Sequence, residues 1–116
     1  MALRDFNDGD LRGCHYTLEK LYVESKGAKK HYIQGIVQII AAIFKVKMQP
    51  NRESAMRLLR KGMSHLEDIK SEDAEIDVAR LIADARMLLS ALEEAGIGKF
   101  RDIPEELFPK MHLRNL

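Results

Sequence analysis

The chain predicts an all-α fold: a compact multi-helical array of four main helices plus a short C-terminal helical turn, in one domain spanning residues 1–116. Three observations predict it. No stretch alternates apolar and polar residues at period two, so no sheet is expected. The run from Tyr32 to Phe44 is apolar except for Gln34, Gly35 and Gln38, which suits a helix covered by neighbours on several faces. Apolar stripes at helical spacing recur on either side of that run, separated by glycine, proline and polar breakers.

The first expected helix starts near Gly9, where Asn7 and Asp8 offer side-chain oxygens to the first free amides, and runs to about Glu24. Leu11, Cys14, Leu18, Leu21 and Tyr22 share its stripe, with His15 beside it. Ser25-Lys26-Gly27 breaks the pattern, and the greasy second helix runs from about Ala28 to Lys47. Pro50 disfavours helical geometry at Gln49, and Asn51 can cap the third helix, roughly Arg52 to Ile69. That helix should bury Ala55, Leu58, Leu59, Met63 and Leu66 and expose Arg57, Arg60 and Lys61. An acidic loop, Ser71 to Glu75, leads into the fourth helix, whose buried face is Ile76, Val78, Leu81, Ile82, Ala85, Leu88, Leu89 and Leu92; acidic residues there suit the positive end of a helix. Gly96 and Gly98 end it. In the tail, 97–116, Pro104 can open one more helical turn and Pro109 close it.

A length of 116 residues is enough to bury one core without staples. Lys plus Arg number 19 against 18 Asp plus Glu, a formal net charge of +1, so no global field draws the protein to nucleic acid or an anionic membrane. The basic residues Lys26, Lys29, Lys30 and His31, and the stripe Arg57, Arg60 and Lys61, lack a groove-reading motif or stacking aromatics and read as solvated faces. No nucleic-acid partner is expected. Residues 32–44 fall short of the roughly 18 apolar residues of a membrane span, and lysines hem them in, so no membrane partner is expected either. The single cysteine, Cys14, reads as a small core residue in a reducing compartment. With no apolar leader in MALRDFNDGD, the expected location is cytoplasmic, or the plastid stroma if the source is eukaryotic.

Two amides at i and i+4 in so apolar a helix need hydrogen-bond partners, because unpaired polar groups are expensive to bury. His15 and Glu19, four apart on the preceding helix, are the natural source. The expected site is therefore a polar network of His15, Glu19, Gln34 and Gln38, joined by the hydroxyl of Tyr22 or Tyr32, that fixes how the first helix docks on the second. Gly35 loses about 1 kcal/mol of helix propensity against alanine but lets the first helix come close.

The order Phe6-Asn7-x-Gly9, His15-x-x-x-Glu19-x-x-Tyr22, Tyr32-x-Gln34-Gly35-x-x-Gln38, then Asn51 and Ala55 before Leu58-Leu59, resembles domain-of-unknown-function family 309. Its pattern is approximately F-N-x-G, H-E-x-x-E-x-x-W, F-x-Q-G-x-x-Q and an asparagine-containing connector. The resemblance spans about residues 5–95, closely over the first two-thirds of the chain and loosely over the fourth helix. The segment Cys14 to Glu19 looks most like a cyanobacterial and plastid branch. The resemblance implies a compact multi-helical protein and a site at these residues, without implying a reaction. Two positions depart from the pattern. Tyr16 stands where the family tends to carry an acidic residue, and Tyr22 replaces its tryptophan, keeping an aromatic wall with a hydroxyl that wants a partner.

His15 and Glu19 could supply two metal ligands from one helix face, but a site needs a third. His31 is near in sequence, Gln34 and Gln38 are poor ligands, and Tyr16 is not a carboxylate. No metal and no cofactor are expected. Glu19 with His15 could serve acid/base work if burial raised the carboxylate's pKa, yet no recognisable nucleophile or phosphate-cradling loop accompanies them. The reading that follows is a non-catalytic helical interaction or assembly module, with a protein partner or a homo-oligomer as its target. The alternative is a small-ligand-binding or metal-dependent hydrolytic protein centred on His15 and Glu19. Ile103, Leu107, Phe108 and Met111 in the tail form the candidate partner surface, since that much apolar area should pack on the body or on another chain.

Overall fold

A computed structural model describes residues 20, 26–48, 50–69, 74, 76–99 and 102–110. Lys26 and Gly27 interrupt the chain before α1, which runs Ala28–Lys47. Gly27 has φ 62°, a conformation costly for any other residue. Its carbonyl accepts from the amides of Lys30 and His31 at 3.1 and 3.3 Å, which satisfies donors that a helix start leaves free. Lys45 and Lys47 lie in the last turn, where the helix dipole favours them.

Asn51 then caps α2, Arg52–Glu67, by accepting the Ser54 amide at 3.1 Å. The short connector makes α1 and α2 an antiparallel hairpin. Ala55, Met56, Leu59, Gly62, Met63 and Leu66 are its buried residues; Leu58 packs half-buried against the core. Asp77 starts α3, Val78–Lys99, its carboxylate accepting the Arg80 amide at 3.1 Å. Helical geometry breaks within α3 at Gly96, φ 69°. A 3-10 turn, Glu105–Leu107, follows Pro104.

The core is built from Ile33, Ile36, Ile39, Ile40 and Ile43 of α1, Leu59 and Leu66 of α2, and Leu81, Leu88 and Leu92 of α3, with Ile76 ahead of that helix. Buried residues on α1 are spread round much of its circumference, as the greasy run predicts. At the hairpin crossing two glycines face each other. A Cβ on Gly35 would sit 2.6 Å from Leu66 Cγ and 3.0 Å from the Gly62 carbonyl oxygen; one on Gly62 would sit 2.9 Å from the Gly35 carbonyl oxygen.

The described residues hold three helices and a 3-10 turn, not four main helices, and no strand; Ile76 makes one isolated bridge. The first expected helix, about 9–24, lies outside the described residues apart from Lys20, which is helical. With it go the Asn7/Asp8 cap, Cys14 and Tyr16. The short C-terminal helical turn expected after Pro104 is present as a 3-10 turn, its amides reaching back three residues, Leu107 to Pro104 and Phe108 to Glu105.

Candidate functional site

Gln34 and Gln38 form one row along α1, beside the row His31, Gly35 and Ile39 that faces α2. Both glutamines are half-buried. The Oε1 of Gln38 is fully shielded from solvent and has no hydrogen-bond partner among the described residues. A buried amide oxygen in that state costs roughly 1–3 kcal/mol. His15, Glu19 and Tyr22, the expected partners, lie outside the described residues, so the structure assigns them no distance to Gln34 or Gln38.

Gly35 was expected to admit the first helix. Among the described residues the close approach belongs to α2, through Gly62 and Leu66. The same row carries His31 to His65, whose Nδ1 lies 3.2 Å from the Nδ1 of His31, with ring centroids 5.3 Å apart and planes tilted 30°. The sequence offered His31 as a companion of His15 and as part of a solvated basic face, and gave His65 no role. The signal was available: His31 sits one turn before Gly35, and His65 three residues after Gly62. No group of three or more His, Cys, Asp or Glu residues placed to hold a metal occurs among the described residues.

Residues 102–110 of the tail fold onto the body. Phe108 is 7% exposed and belongs to the core, and Ile103 packs half-buried against it. Lys47 holds the turn from α1, with Nζ 2.7 Å from Glu105 Oε1 and 4.4 Å from the centre of the Phe108 ring. The Phe108 ring packs inside its own chain. Leu107 stays half-buried at the surface, and Met111 lies outside the described residues. Leu107 closes one end of a groove of about 520 Å³ lined by Ala83, Arg86, Met87, Ser90, Ala91 and Glu94 of α3. Met87 is 56% exposed. This face was not legible in the sequence, because Met87 falls outside the helix's apolar stripe. No helix among the described residues is long and apolar enough to cross a membrane.

A family model described as Domain of unknown function (DUF309) matches residues 1–58. No curated protein and no solved structure matches the chain. The matched half includes Gln34, Gly35 and Gln38 and ends within α2, before Gly62, His65 and the groove on α3.

Proposed function

The chain belongs to the DUF309 family, and since that membership carries no reaction, we propose from the geometry that it is a non-catalytic helical assembly module that pairs with a second copy of itself through the exposed face of α3. The observation that carries this reading is the groove around Met87. Two adjacent ridges, Ala83-Met87-Ala91 and Arg86-Ser90-Glu94, run along it at i, i+4 spacing. Their small residues let another helix approach closely. The charges choose the occupant: an antiparallel copy centred on Ser90 sets each Arg86 against the Glu94 of the other copy, so the face complements itself, as a two-fold contact requires. Met87 supplies an adaptable apolar centre. In this reading the module works in the cytoplasm or plastid stroma, with no nucleic acid or membrane partner.

Sedimentation of the full chain tests it. The wild type should associate reversibly with rising concentration, Arg86→Glu and Glu94→Arg should each be monomeric, and the double swap should restore pairing. A wild type that stays monomeric, or a double swap that stays apart while both single variants fold, overturns the reading.

The buried Gln38 oxygen favours one further element: a donor from the segment carrying His15, Glu19 and Tyr22, which forms the polar network with Gln34 and Gln38 and docks that segment on α1. A double-mutant cycle of His15→Ala and Gln38→Leu should then give a coupling of about 0.5–3 kcal/mol. Additive effects, with His15→Ala leaving stability intact, would instead support a ligand-binding or hydrolytic site at His15 and Glu19.

A further inference from the structure

We propose that each copy in the self-paired molecule takes the Arg86 guanidinium of the other copy into a pocket between α3 and the tail, where Glu94 and Asp102 hold it together. This inference rests on the self-pairing reading and deepens it, because it makes the tail part of the interface and Asp102 a determinant of which helix fits.

The pocket, of about 280 Å³, opens beside the Met87 groove and shares Ala91, Glu94 and Leu107 with it. On one side α3 contributes Ala91 and Ala95; on the other the tail contributes Ile103, Pro104 and Leu107. Two exposed carboxylates complete the lining, Glu94 from the helix and Asp102 from the tail. An apolar trough edged with negative charge fits one kind of side chain, a long aliphatic stem that carries a cation at its end. The seating of Phe108 in the core keeps the tail's wall in place, so Ile103 and Leu107 meet a partner while Phe108 does not.

The neighbouring charges choose the occupant. Glu93 is held by Arg60 at 3.4 Å and Glu105 by Lys47 at 2.7 Å. Among the described residues, Glu94 and Asp102 make no ion pair within the chain, and neither does Arg86, which is exposed on the same face of α3. Arg86 lies eight residues before Glu94, about 12 Å along the helix axis, too far to fill the pocket of its own chain. An antiparallel copy centred on Ser90 closes that distance, because its Arg86 then stands opposite Glu94. With helix axes about 8–10 Å apart, the stem of that arginine lies along Ala91 and Ala95, and its head reaches the gap between Glu94 and Asp102. The guanidinium presents five N–H donors in a planar fork, enough for two carboxylates at once, whereas a lysine ammonium is a compact point charge. The pocket therefore selects arginine, and a second copy is what presents it there.

Sedimentation of the full chain at low salt tests it. Asp102→Asn should weaken pairing roughly tenfold, because a partly exposed charge contact is lost twice in a two-fold pair. Arg86→Lys should weaken it several-fold, and in that background Asp102→Asn should add less than its own loss in the wild type, since the fork that joined them is gone. Glu106→Gln, which removes an exposed carboxylate of the same turn outside the pocket, should pair as the wild type does. A wild type that stays monomeric overturns the pocket together with the self-pairing reading. If the wild type pairs, an Asp102→Asn variant that pairs equally well, or losses from Asp102→Asn and Arg86→Lys that simply multiply, overturns the pocket and leaves self-pairing standing. Spectra of the wild type decide the matter even if a variant unseats the tail. As concentration rises, the Arg86 Nε–H and the Asp102 carboxyl carbon must shift together with the pairing curve; an Asp102 signal that stays still while the chain pairs overturns the proposal.

Discussion

At the residue scale the hairpin crossing sets helix propensity against space. Replacing either glycine by alanine gains about 1 kcal/mol of intrinsic helix propensity, so on an open face it would stabilise. Here the new methyl has no room, and overpacking costs typically 1–3 kcal/mol. The neighbours differ in how far they can yield. A Cβ at either glycine meets a side chain first, Leu66 Cγ at 2.6 Å from Gly35 and Ile39 Cγ1 at 2.8 Å from Gly62. The one on Gly62 also crowds two backbone atoms, the Gly35 carbonyl oxygen at 2.9 Å and the Ile39 amide nitrogen at 3.3 Å, against one for Gly35, the Gly62 carbonyl oxygen at 3.0 Å. Gly62→Ala should therefore lower unfolding free energy by about 1–2 kcal/mol in urea titrations, and Gly35→Ala by less; an alanine variant more stable than wild type would mean the helices are farther apart. Gly35 was legible in the sequence as a contact because a glycine inside so apolar a helix has few other uses. Its partner was not, since propensity says that something comes close without saying what. Gly62 sits in an ordinary amphipathic pattern, where a small residue draws no attention.

At the element scale the question is how helix ends find partners. Arg52 opens α2, a poor place for a cation by its own helix's dipole. Its side chain instead reaches the far end of α3, donating through Nε to the Leu92 carbonyl at 2.9 Å and through a terminal nitrogen to that of Glu93 at 3.4 Å. These carbonyls precede the break at Gly96, where an α-helix leaves its last oxygens without partners. One cation thereby joins the start of one helix to the end of another. Arg52→Met should cost about 1.5–3 kcal/mol and speed amide hydrogen exchange through the last turn of α3. Arg52→Lys should recover little, because one ammonium cannot reproduce the two-point fork. The breakers were legible, Gly27 and Gly96 by residue type and Asn51 as a cap, and the bounds of α1 matched the reading at both ends. The tie from Arg52 was not, for it joins positions 40 residues apart that only the packing of α2 on α3 brings together.

At the whole-molecule scale the tail decides how much of the chain is one cooperative unit. Apolar residues among charges implied that the tail, 97–116, should pack on the body or on another chain. The sequence could not say on what, because the receiving surface is assembled from two helices, α1 and α3, far apart in the chain. Two kinds of contact hold the tail, and their magnitudes rank them. The Lys47–Glu105 pair is partly exposed, with side chains 32% and 65% accessible, and such pairs are worth about 0–1 kcal/mol, with a cation–π contact at an exposed site adding about 0.5–1. Phe108 is buried in the core, and truncating a buried aromatic costs about 3–5 kcal/mol, a large share of the 5–15 kcal/mol that holds a typical domain together. Phe108→Ala should then destabilise far more than Lys47→Ala, which should stay within about 1–2 kcal/mol of wild type in denaturant titrations. Equal losses would mean that charge, not burial, seats the tail. The same pair of variants separates the tail's two roles. Lys47→Ala leaves Phe108 seated and Leu107 at the end of the α3 groove, so self-association should persist in it. In Phe108→Ala, association should weaken together with stability, because the groove loses its closed end as the turn lifts from the core.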